Sequence, residues 1–188
     1  MALEATFREL TTGLHQVNDA VNSLHVTIED KPAHDEAAVA DDLADKTLEL
    51  LGFIHEARSA AAKARQALKH PADMDQARRA LSQCQERFHR IEQKYAINLV
   101  SYEKLKELAR VAGRSREWAA WAGGTKEGIE QCRDPLGTTS KRLAACWQEF
   151  AERLGMMNIS VRATGFVQKL ADEGQSRDDE ETVHIGIP

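Results

Sequence analysis

Apolar residues recur in alternating steps of three and four along the first 110 positions, in three ladders of similar length. The first is Leu3, Phe7, Leu10, Leu14, Val17, Val21, Leu24 and Ile28. The second is Ala40, Leu43, Thr47, Leu50, Ile54, Ala57, Ala61, Ala64 and Leu68. The third is Met74, Ala77, Leu81, Cys84, Phe88, Ile91, Tyr95, Asn98, Tyr102 and Leu105. This spacing sets each ladder on one narrow helical stripe, the seam along which helices pack on other helices. The expected fold class is therefore all-α: an elongated antiparallel bundle of four long helices, with a shorter irregular helix before the last and a flexible C-terminal tail.

Breaks between the ladders predict the helix limits. Pro32 closes a first helix over about 3–28, because proline lacks the N–H and disfavours helix in the residue before it. A second helix is expected from about Asp35 to Lys69, stopped at His70-Pro71, and a third from Asp73, as N-cap, to about Val111 before Gly113. At 1.5 Å per residue the second and third would each span about 50–58 Å, and so short a connection makes them antiparallel neighbours. Ser115 can cap a further helix carrying Trp118 and Trp121. Gly123, Gly124 and Gly128 weaken it, each costing about 1 kcal/mol against alanine, and Asp134-Pro135-Leu136-Gly137 reads as a turn. The last ladder, Leu143, Cys146, Phe150, Leu154, Met157, Val161 and Thr164, predicts a helix ending near Asp172. The domain reading is thus a helical bundle over 1–172 and an acidic tether with a docking peptide over 173–188.

Charge is segregated along the chain. Residues 1–57 carry 3 cations and 12 acids, net −9, and residues 58–116 carry 14 and 6, net +8. The simplest meaning is complementary faces of neighbouring helices, within one chain or between copies. A sharper reading makes Arg78, Arg79, Arg87, Arg90 and Lys94 a basic surface for nucleic acid. The net charge of −5 and the lack of a nucleic-acid motif argue against it.

Catalytic chemistry finds little footing. A carboxylate-bridged metal centre needs inward-facing Glu-x-x-His on two helices. The chain offers Glu86-x-x-His89 once, with His89 flanking the seam and Glu86 nearly opposite it. His15, His25 and His55 also border their seams, so no metal or cofactor is expected. Cys84 sits on a seam among apolar residues, without a base to make it a nucleophile. Cys132 and Cys146 have no readable partner either. Three cysteines without a Cys-x-x-Cys pair favour free thiols and a cytoplasmic setting. Gly123-Gly124-Thr125-Lys126 lacks the spacing of a phosphate loop. No apolar run approaches the roughly 18 residues of a membrane span, and the N-terminus has no secretory pattern.

Two features point toward binding. Trp118 and Trp121 share a helix face, where they either anchor the core or present a partner-binding hot spot. The charged run Asp172–Glu181 leads to Val183, Ile185 and Ile187, which alternate as a strand does in a chain otherwise patterned for helix. Such a peptide suits docking by strand addition to another protein. Asn98 on its seam suits register or partner number, which keeps self-association open. The function expected is a non-enzymatic scaffold or adaptor. The alternatives are a metal- or cofactor-binding bundle enzyme and a nucleic-acid binder using the basic third helix.

Overall fold

A computed structural model describes residues 2–33 and 37–155. Among the described residues the chain is all helical: α1 (Ala2–Glu29), α2 (Ala37–Ala67), a 3₁₀ turn (Pro71–Asp73), α3 (Met74–Asn98), α4 (Tyr102–Ala112), α5 (Arg116–Gln131) and α6 (Arg133–Arg153). Every residue of the first and second ladders is buried, as is the third from Ala77 to Tyr95. Phe7, Phe88 and Phe150, from three different helices, are among the largest fully buried side chains. Each such ring contributes about 1.5–3 kcal/mol by leaving water.

Polar contacts between helices give the directions. Arg65 Nε donates to Glu4 Oε1 at 2.8 Å, and His25 Nδ1 lies 2.8 Å from Thr47 Oγ1, so α1 and α2 are antiparallel. The Thr47 hydroxyl donates to the carbonyls of Leu43 and Ala44, so the histidine is the donor of the 2.8 Å bond. Arg87 pairs with Glu56 at 2.6 Å and Lys94 with Glu49 at 3.0 Å, which makes α2 and α3 antiparallel. Trp121 Nε1 donates to Ile28 O at 3.1 Å and Arg142 Nη1 to Gln16 Oε1 at 3.0 Å, so α5 and α6 together run back along α1. The segregated charge is used at these contacts: acids of α2 face cations of α3 and α4.

The third rod is broken where a continuous helix to Val111 was expected. α3 stops at Asn98, and Ser101 adopts ψ 146° before α4 begins. The cause is tertiary. Lys104 of α4 already reaches Asp42, near the start of α2, at 2.7 Å. A straight extension would therefore run past the end of its neighbour. The bend lays α4 on α5 and buries Leu108 and Val111. The buried stripe moves from Asn98 to Leu99, leaving Tyr102 73% exposed. A seven-residue repeat drifts about 20° per heptad on a straight helix, which favours such a slip after three heptads.

The glycines and the proline also act differently from expectation. α5 runs unbroken through Gly123, Gly124 and Gly128. A Cβ on Gly128 would lie 3.0 Å from Leu24 Cδ1, so this glycine lets α5 approach α1 closely. Pro135 makes no turn. It is the third residue of α6, among the first four positions whose N–H groups have no intrahelical partner. The joint between α5 and α6 is Cys132 alone, itself in helical conformation. α6 ends at Arg153, short of Asp172, where Gly155 turns the chain at φ +68°. Met157, Val161, Thr164 and the boundary at 172 lie outside the described residues.

Candidate functional site

The two tryptophans predicted to share a face do so, and that face points inward. The Ser115 side chain accepts the Trp118 N–H at 3.2 Å, capping α5 and fixing its first turn. Trp118 and Trp121 are 4% and 6% exposed and meet edge to face, with ring centroids 5.2 Å apart. The Trp121 indole closes the end of α1 through Ile28 O. Both rings are therefore anchors within the chain, and an exposed binding pair is not what the fold makes of them.

The five cations proposed as a basic surface are distributed rather than joined in one stripe. Arg87 and Lys94 turn toward α2 and its acids. Arg90 pairs with Glu86 at 3.0 Å and sits 6.0 Å from the Phe53 ring centroid. Arg78 lies 3.7 Å from Asp75, and Arg79 is exposed. Each pair lowers the positive potential an anionic ligand would meet.

Glu86 and His89 do not converge on a shared centre. Glu86 faces Arg90, whereas Gln93 Nε2 donates to His89 Nε2 at 2.9 Å. His15 and His55 are exposed. Among the described residues no group of three or more His, Cys, Asp or Glu could hold a metal ion. Cys84, Cys132 and Cys146 are all buried and free. Burial pushes each thiol up to about 12, so the nucleophilic thiolate is scarce at neutral pH.

Three polar features, two of them buried, escaped the sequence reading. Glu92 is fully buried on α3, one residue after Ile91 of the seam. Tyr95 donates its hydroxyl to Ile129 O at 2.7 Å, and burial raises its pKa. Lys104 bridges Asp42 and Glu107, with its pKa raised chiefly by the bond to Asp42. A seam tyrosine with a buried hydroxyl demands an acceptor, but the acceptor, 34 residues away, comes only from the fold. Val183, Ile185 and Ile187 lie outside the described residues.

Among the described residues no helix is long and apolar enough to cross a membrane. No family model, curated protein or solved structure matches the chain.

Proposed function

We propose that this chain is a non-enzymatic, cytoplasmic scaffold or adaptor. Its body is an antiparallel bundle of four rods, three formed by α1, α2 and α3 and the fourth by α5 with α6. The segment 173–188 docks it to another protein by adding Val183, Ile185 and Ile187 as a strand to an exposed sheet edge. One observation carries the reading: the tryptophans, the thiols and several charged side chains of the body are engaged in its own packing. The tryptophans close on α1, the thiols are buried, and cations of α3 and α4 meet acids of α2. The apolar alternation at the C-terminus, beside acids suited to a basic rim, supplies the recognition element.

The test is capture from native lysate with the full chain and with a full-length V183D/I185D/I187D variant. A protein held by the first and lost by the second is the expected result. Equal capture by both would overturn the docking role.

A further inference from the structure

α1 and α2 each leave one regularly spaced row of side chains in solvent. On α2 the row is Asp41, Leu48, His55, Ala62 and Lys69, exposed at every step of seven. On α1 it is Arg8, His15, Asn22 and Glu29, exposed likewise. Steps of seven keep a row on one side of a helix, with a slow drift. Contacts between the two helices set both rows on one outer face. His15 Nε2 lies 3.5 Å from Arg58 Nη2, and Glu4 meets Arg65 with Arg8 and Lys69 close by. The other flanks are used elsewhere: Glu49 and Glu56 of α2 by α3, and Gln16 of α1 by α6. Glu9, seven residues before Gln16, belongs to that α6 flank.

Because α1 and α2 are antiparallel, the two rows share one polarity. One half of the face holds Asp19, Glu29, Asp30 and Asp41 against Lys31, net −3. The other half holds Arg8, Arg58, Arg65 and Lys69 against Glu4, net +3. Asp45 and Lys63, exposed on α2, repeat the order. Like charges therefore stand side by side within the chain, whereas the acids of α2 that face α3 meet cations. The helix dipole does not explain the order on α1, where Arg8 is near the amino end and the last turn carries no cation. Val26 and Leu48, 60% and 51% exposed, lie in the acidic half, each one residue past the His25–Thr47 bond.

An antiparallel second copy complements this face. A two-fold axis across the helices lays α2 on α2 and the acidic half on the basic half, whereas an axis along them would lay acid on acid. With the axis at His55, Leu48 and Ala62 come opposite, each seven residues from it. Asp41 and Lys69, each fourteen away, do the same. The face is about 39 Å long over 4–29 and about 20 Å wide for two packed helices. That is roughly 800 Å² per copy, which is what a standard specific interface buries.

We propose that two copies of this chain pair face to face through the outer sides of α1 and α2, antiparallel about a two-fold axis at His55.

Analytical ultracentrifugation of the full chain tests it. At about 50 μM in about 50 mM NaCl a dimer is expected, with a dissociation constant raised about tenfold or more in about 0.5 M NaCl. R8E/R58E/K69E makes the whole face acidic, and D19K/E29K/D30K makes it basic. Each variant alone should be monomeric, and their equimolar mixture should pair again; circular dichroism reports that each is folded. Orientation is read with L48C and A62C, whose exposed thiols a short bismaleimide can join while the three native thiols stay buried. Leu48 and its own copy would lie about 21 Å apart along the helices, so L48C should link to A62C in a mixture and not to itself. A monomer at low salt overturns the proposal. So do reversal variants that pair as the unaltered chain does, a mixture that fails to pair, and links of L48C to itself.

Discussion

Gly13 sits on α1 where a Cβ would come within 2.6 Å of Thr139 Oγ1 and 3.1 Å of Arg142 Nη1. Gly123 and Gly137 are helical as well, but a Cβ on either meets nothing within 4 Å. The same substitution should therefore have opposite signs. Gly13→Ala is expected to destabilise by about 1–3 kcal/mol through overpacking. Gly123→Ala should stabilise by about 0.4–1 kcal/mol, because the unfolded chain loses freedom and helix propensity improves. Urea midpoints measured side by side check both signs. The thiols give a second prediction at this scale. With Cys84, Cys132 and Cys146 buried and raised to about 12, native protein at about pH 8 should resist alkylation. All three should label in denaturant, and rapid labelling of any one in native protein would contradict its burial.

At the scale of elements, the joint between α3 and α4 separates what the ladder predicts from what the fold does. Ser101 has ψ 146°, the conformation that a following proline imposes, and Tyr102 is the first residue of α4 and exposed. Tyr102→Pro should therefore change stability by less than about 1 kcal/mol. In a continuous helix the same change would cost about 3 kcal/mol or more, so thermal unfolding of this one variant distinguishes the two. The limits of α1 were legible to within a residue, because Pro32 and the polar run before it stop a helix locally. The end of α3 was not legible, since no residue from Asn98 to Ala112 is a glycine or proline. The break instead goes with the packing of α4 on α5, which buries Leu108 and Val111.

For the whole molecule, the helix content and the ion pairs make testable statements. α1, α2 and α3 alone contribute 28, 31 and 25 residues, so far-ultraviolet circular dichroism should report a predominantly helical chain, and a strand-rich spectrum would refute the fold. The pairing of α1 with α2 also carries a pH dependence. The Arg65 guanidinium bonded to Glu4 holds its carboxyl below the usual carboxylate range. The bond therefore stabilises the fold above the unfolded carboxylate pKa, and that contribution is lost as pH falls through the lower folded value. Glu4 is largely exposed, so the effect is small. It is seen as a shallower acid-side decline in the unfolding temperature of E4Q than of the unaltered chain.

The sequence by itself determined that the chain is helical, which face of α1, α2 and α3 is buried, and where α1 and α2 end. Each of these follows from local periodicity or from a residue that forbids the next hydrogen bond. Tertiary structure alone decided that Trp118 and Trp121 face inward, that Gly128 is a contact with Leu24, that Pro135 lies in the first turn of a helix and that the third ladder bends at Ser101. Each of those depends on a partner distant in the chain. Trp121 finds its acceptor 93 residues away at Ile28, and a repeat of seven carries no record of which rod will lie alongside, or where that rod stops.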